Sequence, residues 1–180
     1  MVDRFSFELL LLERMSKEYR ASVLRQIGLA SADAARIRAS CPLLAPWQLG
    51  NDLTTYLNIL GAEVPRHHVG YWSSEELAGS RPHCFLLALW PHLFWVLHED
   101  QDGSWSEVGF RNQTLLNFQH LDPATVRVGL WTRAALRRLA DGHALHDGWN
   151  EQVTERFTFG SQRYEGQFVY GLLQEWSRIE

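Results

Sequence analysis

The sequence predicts an α+β domain in which helices flank a central antiparallel β-sheet. The main indication is the segment 81–112, which contains three apolar runs typical of successive strands. These runs are His83–Trp90, Leu93–His98 and Trp105–Phe110. The first is almost continuously apolar, as expected for a strand buried on both faces. The turn signal Asp100–Gly103 separates the last two runs, so we expect a three-stranded meander at the core of the fold.

Helical patterns on both sides of the meander complete the fold class. Apolar residues recur every three or four positions from Phe5 to Ile27, and Gly28 then predicts a helix end. Further helices are predicted at Ser31–Ala39, Trp47–Leu60, Thr132–Ala140 and Arg163–Ile179. Alternation predicts a strand at Thr125–Trp131 and an edge strand or hairpin arm at Val153–Phe159. We place an N-terminal helical extension at residues 1–40 and the α+β domain at residues 41–180.

Charge and hydropathy exclude two classes of partner. The 180 residues carry a formal net charge of −4 and no basic run, which disfavours nucleic-acid binding because phosphate contacts need clustered Lys and Arg. No apolar stretch approaches the ~20 residues that a membrane span requires. No signal peptide is evident, so we expect a cytoplasmic protein, with signal-less export as the alternative. Among the 17 basic residues only Lys17 is a lysine, a bias typical of GC-rich bacterial genomes.

Histidine and cysteine residues are concentrated near the meander, but their spacing does not predict a metal site. His83 and Cys84 are adjacent in a strand, so their side chains should point to opposite faces. His92 and His98 would share a face but lie ~20 Å apart along an extended strand. Cys41 and Cys84 are the two cysteines, and they do not predict a disulfide framework. We expect no metal and no cofactor.

The order of elements in residues 45–131 resembles the papain-like fold, especially the compact peptidase domains of bacterial peptide exporters. A helix of the form LxxxLxxxG is matched by Leu53–Gly61, and a GxP strand is matched by Gly79–Pro82. A histidine then opens a strand of the HxxVV type at His92–Val96. In this family the histidine is catalytic, and an Asp or Asn at the end of the next strand orients it. The resemblance therefore implies His92 as the base and Asn112 as the orienting residue.

The sequence departs from this family at the nucleophile. The family places a cysteine at the helix N-terminus, where the helix dipole and a neighbouring imidazolium lower the thiol pKa. Here the corresponding positions are Gln48, Leu49 and Gly50. The nearest candidate is Cys41, which two prolines separate from the helix. Either the loop brings Cys41 to His92 or the site is inactive.

Two functions follow from this resemblance. The first is a non-catalytic protein- or peptide-binding module on a degenerate papain-like fold. Its expected binding residues are Trp47, Gln48, Trp90 and Trp95. The second is a cysteine hydrolase, either a peptidase or a glutamine deamidase, that uses Cys41, His92 and Asn112. A bacterial effector or immunity protein is compatible with both, and the expected partner is a protein or peptide, including a second copy of the chain in a homodimer.

Overall fold

The computed structural model describes residues 2–43, 49, 52–69, 79–112, 122–144 and 152–180. In these residues, two antiparallel sheets of three and four strands lie among helices. The predicted α+β class is therefore confirmed, although the sequence analysis placed only one sheet in the chain. Among the described helices, none combines the length and apolar character needed to span a membrane.

The first sheet is the predicted meander. Its strands are β1 (Ser80–Leu86), β2 (Leu93–Asp100) and β3 (Trp105–Asn112), in that order. The central strand β2 is buried from Leu93 to His98, as the apolar run predicts. In the β2–β3 turn Gly103 has a φ of +80°, a backbone conformation that glycine adopts without steric cost. The meander and its turn are thus confirmed.

The second sheet is built from the C-terminal part of the chain. Its strands are β4 (Asp141–Ala144), β5 (Gln152–Phe159), β6 (Gln162–Val169) and β7 (Leu172–Ile179), in sequence order. Strand β5 confirms the predicted hairpin arm. One face of this sheet is apolar and carries Phe157, Phe168 and Leu173, which pack with Leu136 of the preceding segment.

The helix predicted at Arg163–Ile179 is wrong, because this segment forms strands β6 and β7. Its apolar residues recur every four positions, a spacing that matches one helix face and equally one strand face of period two. The residues between the two strands distinguish a hairpin from a helix. Tyr170 and Gly171 have φ values of 48° and 75°, which gives the two-residue type I′ turn that matches the twist of a hairpin.

The single helix predicted at Phe5–Ile27 is also wrong. The structure has α1 (Arg4–Glu13) and α2 (Lys17–Gln26), followed by α3 (Ser31–Ser40). The break occurs at Ser16, whose hydroxyl accepts a hydrogen bond from the backbone N–H of Tyr19 and so caps α2. The cap satisfies an N–H group of α2 that has no partner within the helix.

The N-terminal helices pack into the same core as the meander. Each of α1, α2 and α3 contributes side chains to a cluster that also contains residues of the first sheet and of the β6–β7 turn. Its members include Phe7, Leu11, Val23, Ala34, Phe85, Trp95, Phe110 and Tyr170. The helices are therefore part of the main core, while the predicted domain boundary at residue 40 stays a prediction.

Two further helices flank the sheets. Helix α4 (Leu53–Leu60) ends at Gly61, whose φ is +87°, where the predicted helix ends, but it begins after the cap residue Asp52 and not at Trp47. Helix α5 (Arg133–Arg137) is capped by Thr132 and is shorter than the helix predicted at Thr132–Ala140. The strand predicted at Thr125–Trp131 is wrong, because Pro123–Thr125 is a 3₁₀ turn and the following residues form turns. Within this segment the backbone N–H of Gly129 donates to the carbonyl of Leu173 at 2.8 Å, so the segment lies beside the start of β7.

The two sheets meet at the β6–β7 turn. The backbone N–H of Phe110 in β3 donates to the carbonyl of Tyr170 at 2.8 Å. The Tyr170 ring packs edge-on against Trp95, with 5.5 Å between ring centroids. An added Cβ at Gly109 would lie 2.7 Å from the Tyr170 carbonyl oxygen, so only glycine permits this approach. The ends of both sheets are therefore fixed relative to each other.

Candidate functional site

His92 lies in the connection between β1 and β2, which helix α1 holds in place. The carboxylate of Glu8 is fully buried and accepts hydrogen bonds from the backbone N–H groups of Ala88 at 2.8 Å and Leu89 at 2.6 Å. His92 itself is exposed. The backbone beside His92 is thus fixed by buried contacts, while its imidazole is accessible to solvent.

Cys41 lies at the C-terminal end of α3. Its backbone N–H donates to the carbonyl of Arg38 at 3.0 Å, and its side chain is buried. The C-terminal end of a helix carries a partial negative charge, which attracts cations. The thiolate of a papain-like enzyme instead occupies the positive N-terminal end. The helix end beside Cys41 is therefore the opposite of the one that the resemblance implies.

Asn112 is the last residue of β3 and pairs with Leu93, the first residue of β2. It therefore lies at the same end of the sheet as His92. Its side-chain amide donates a hydrogen bond to the carbonyl of Leu130 at 2.9 Å, and the side chain is buried. This bond ties the end of β3 to the segment that precedes α5. A catalytic triad of Cys41, His92 and Asn112 therefore remains a prediction.

Helix α4 is the element at whose N-terminus the resemblance places the nucleophile. Asp52 caps this end, and its carboxylate accepts hydrogen bonds from the hydroxyl of Thr55 at 2.6 Å and the backbone N–H of Thr54 at 3.0 Å. Both hydrogen bonds lower the pKa of Asp52, and the bond from the hydroxyl of Thr55 has the larger effect. A carboxylate of the chain itself thus occupies the helix end that would stabilise a thiolate.

The four expected binding residues fall into two groups. Trp47 and Gln48 lie outside the described residues. Trp90 and Trp95 are almost completely buried, and both rings pack edge-on against Phe110 at centroid distances of 5.3 and 5.2 Å. The observed role of these two tryptophans is core packing, and a binding role for them stays a prediction.

A buried histidine between two carboxylates is the first polar cluster that the sequence analysis missed. His83 is fully buried, with Nδ1 3.0 Å from Glu63 and Nε2 2.9 Å from Glu99. Both ring nitrogens of His83 are therefore within hydrogen-bond distance of a carboxylate oxygen. The Trp105 ring covers His83 at 5.5 Å. Because solvent does not reach the ring, we interpret the cluster as a structural link that joins β1, β2 and the segment after α4.

A buried carboxylate between two arginines is the second such cluster. Glu155 on β5 is fully buried and accepts hydrogen bonds from Nε of Arg133 at 2.6 Å and Nε of Arg137 at 2.7 Å. The two arginines are four residues apart on α5 and so share one helix face. Their side chains are 23% and 45% exposed, so this cluster, unlike His83, extends to the surface.

The packing of α5 explains this arrangement. Ala135 and Leu136 are buried against Phe157, which lies two residues after Glu155 on the same face of β5. The helix is fixed at its start by the Thr132 cap and by the backbone N–H of Arg133, which donates to the carbonyl of Gly171 at 2.8 Å. The carboxylate therefore holds two arginines whose helix is itself anchored to the sheet.

Two further arginines, Arg138 and Arg111, are close enough for their charges to interact. Arg138 follows Arg137 directly, and Arg111 on β3 is 8% exposed. Burial, and to a smaller extent the positive charge of Arg138, lowers the pKa of Arg111 to about 10.

The sequence contained a signal for the Glu155 cluster. Val153, Glu155 and Phe157 alternate on the inward face of a predicted strand, and a charged residue at such a position requires a buried partner. Arg133 and Arg137 supply that partner from a predicted helix. The signal for His83 is weaker, because Glu63 lies in an irregular segment whose position no periodicity predicts.

Within the described part of the chain, no group of three His, Cys, Asp or Glu side chains has an arrangement that holds a metal ion. Comparison with protein-family models, with curated proteins and with solved structures finds no match to this chain. The candidate sites therefore rest on the geometry of the chain itself.

Proposed function

We propose that the chain is a non-catalytic binding module for a protein or peptide partner, on a degenerate papain-like scaffold of bacterial origin. The observation that carries the proposal is the pair of arginines that buried Glu155 holds at the surface. Each of the two arginines donates to Glu155 through its Nε group, and a guanidinium has further N–H donors on its terminal nitrogens. The cluster thus presents fixed hydrogen-bond donors to a ligand.

The surroundings of Cys41 support the absence of catalysis. Nucleophilic cysteine chemistry requires a thiolate stabilised by a helix N-terminus and by a nearby imidazolium. The thiol of Cys41 is buried at a helix C-terminus, and the N-terminus of α4 is capped by Asp52. A scaffold that keeps a papain-like order of elements without an activated thiol is suited to binding rather than to bond cleavage.

Partner capture by the double variant Cys41→Ala/His92→Ala tests the proposal. We expect the tagged variant to retain the same partner as the wild-type chain, in the same amount within about twofold, because neither side chain belongs to the proposed binding surface. The measurement is affinity capture with quantitative mass spectrometry, with circular dichroism to verify folding. Loss of the partner from a correctly folded double variant would contradict a non-catalytic role.

The second candidate is a cysteine hydrolase, and one observation favours it. Asn112 pairs with Leu93, so His92 and Asn112 are placed at the same end of the first sheet, as a base and its orienting residue would be. This function further requires Cys41 to react as a thiolate beside His92. The reactivity of Cys41 therefore distinguishes the two candidates.

A further inference from the structure

The corner between helices α1 and α2 contacts both sheets, although it belongs to neither. The backbone N–H of Ser16, the cap residue of α2, donates to the side-chain oxygen of Gln174 in β7 at 3.0 Å. Gln174 is 6% exposed, and its side-chain nitrogen lies 3.3 Å from the carbonyl oxygens of Leu172 and Leu173, to which it donates. The start of α2 is therefore joined to the first residues of β7 through a buried amide.

Tyr19, in the first turn of α2, joins the same corner to the first sheet. Its hydroxyl accepts a hydrogen bond from the indole N–H of Trp90 at 2.9 Å and donates to the carbonyl of Gly129 at 3.2 Å. Trp90 lies between β1 and β2, is 1% exposed and packs edge-on against Phe110 of β3. The backbone N–H of Gly129 is bonded to Leu173 of β7. One hydroxyl group thus lies between the core of the first sheet and a segment bound to the second.

Helix α1 anchors the corner on the first sheet. The buried carboxylate of Glu8 accepts hydrogen bonds from the backbone N–H groups of Ala88 and Leu89, which lie between β1 and β2. The ring of Phe7 packs edge-on against Trp95 of β2, with 5.9 Å between the ring centroids. The corner is therefore part of the first sheet's surroundings, and its bonds to Gln174 and Gly129 reach from there to the second sheet.

Two hydrogen bonds that join the first sheet directly to the C-terminal part of the chain both come from the end of β3. Phe110 donates to the carbonyl of Tyr170, and the side chain of Asn112 donates to the carbonyl of Leu130. Contacts at one strand end hold two sheets together but permit rotation about that end. The corner adds contacts from a different element, the helices that cover the first sheet, and these contacts restrict such a rotation.

We propose that the α1–α2 corner is a latch that makes the two sheets open as one unit. While Gln174 and the Tyr19 hydroxyl are bonded, opening of the second sheet also breaks buried contacts of the first. When these bonds are broken, the second sheet opens by itself and the meander stays folded, as in the sub-global openings that native proteins undergo. Helix α5 packs on the second sheet, so the latch also fixes the Glu155 cluster relative to the first sheet. The inference does not depend on the proposed binding function, because it concerns how the sheets are held.

Hydrogen–deuterium exchange of the full chain, followed by mass spectrometry of peptides from each sheet, tests the inference. Tyr19→Phe keeps the ring but removes the hydroxyl, so that the N–H of Trp90 and the carbonyl of Gly129 both lose this partner. We expect the amides of β5, β6 and β7 to exchange about tenfold faster in this variant, and those of β1, β2 and β3 to change by less than about twofold. Circular dichroism verifies that the variant is folded.

Tyr164→Phe is the matched control for the loss of a tyrosine hydroxyl. Tyr164 lies on β6, and its hydroxyl donates to the side-chain oxygen of Gln162 on the same strand at 2.9 Å. This variant therefore loses a hydrogen bond of the same kind within the second sheet but leaves the corner intact. Exchange in both sheets should stay within about twofold of the wild type.

Gln174→Met breaks the other contact of the corner and decides the question by itself if Tyr19→Phe does not fold. Methionine keeps the length of the side chain but neither accepts the bond from Ser16 nor donates to β7. Peptides from α5 and β5, which do not contain the substitution, should exchange about tenfold faster, again without a change in the first sheet. An increase that is not larger in the second sheet than in the first, or no increase, would overturn the inference, since the corner would then not act as a latch.

Discussion

Replacing Arg133 and Arg137 together by methionine should destabilise the fold more than replacing Glu155 by glutamine. The double variant leaves a fully buried carboxylate without the two guanidinium groups that donate to it, and removal of the partners of a buried charge costs about 3–5 kcal/mol of the free energy of unfolding. Glu155→Gln instead leaves two arginines that reach solvent, so we expect a loss of about 1–2 kcal/mol. Urea unfolding monitored by tryptophan fluorescence measures both.

The same residues provide a control, in which the effect of Glu155→Gln on the free energy of unfolding should change sign. Glu155→Gln should destabilise the wild-type chain but stabilise the double arginine variant, because there it removes an uncompensated buried charge. Arg156→Met, which breaks the exposed pair with Glu165, should change the free energy of unfolding by less than about 1 kcal/mol. A Glu155→Gln substitution that destabilises both backgrounds equally would contradict the buried position of Glu155.

Gly129→Ala should lower the free energy of unfolding much more than Gly28→Ala, although both glycines have positive φ. Gly129 has a φ of +73°, and an added Cβ would lie 1.9 Å from the ring of Tyr19. That ring cannot move freely, because the Tyr19 hydroxyl accepts a hydrogen bond from the indole of Trp90 at 2.9 Å and donates to the carbonyl of Gly129 at 3.2 Å. Backbone strain and overpacking together should cost about 3 kcal/mol or more.

Gly28→Ala is the matched control for this effect. Gly28 has a φ of +67°, and no atom lies within 4 Å of an added Cβ, so the substitution introduces only backbone strain. We expect a loss of about 1 kcal/mol, measured by the same urea unfolding. Equal losses at Gly28 and Gly129 would show that the Tyr19 ring does not pack on Gly129 as the structure has it.

The meander could be predicted because its signals agree with each other. The apolar run at Leu93–His98 and the glycine at position 103 point to the same strands and the same turn, and the structure confirms both. The start of α5 at Thr132 and the end of α4 after Leu60 were predicted for the same reason. Local chemistry and periodicity were consistent at these elements.

The C-terminal hairpin was missed because one spacing fits two structures. Tyr164, Phe168 and Trp176 are separated by multiples of four residues, which places them on one helix face and also on one strand face. The decisive signal is Tyr170-Gly171. A tyrosine rarely has positive φ, and its ring is retained there because it packs on Trp95 in the core. Tertiary packing thus allowed a turn residue that local propensity disfavours.

The candidate site was only partly accessible to sequence reasoning. The resemblance directed attention to His92 and Asn112, which do lie at one end of the first sheet. The polar clusters at His83 and Glu155 join residues 16 to 22 positions apart, across neighbouring strands, irregular segments or helix packing. Periodicity predicts which face a residue occupies, but it does not predict which element covers that face.

The reaction of Cys41 with iodoacetamide as a function of pH tests the central claim, that the scaffold is not catalytic. Peptide mapping by mass spectrometry separates Cys41 from Cys84, which serves as an internal control. Cys84 is 1% exposed. Its burial, with a smaller effect from the negative charge of Glu63, raises the pKa of its thiol to about 12, so Cys84 should stay unmodified in the folded chain. We expect Cys41 to react slowly at neutral pH and at the same rate in the wild type and in His92→Ala. A fast reaction that persists well below pH ~8.5, the ordinary pKa of a thiol, and that His92→Ala slows would contradict the claim and establish a thiolate–imidazolium pair.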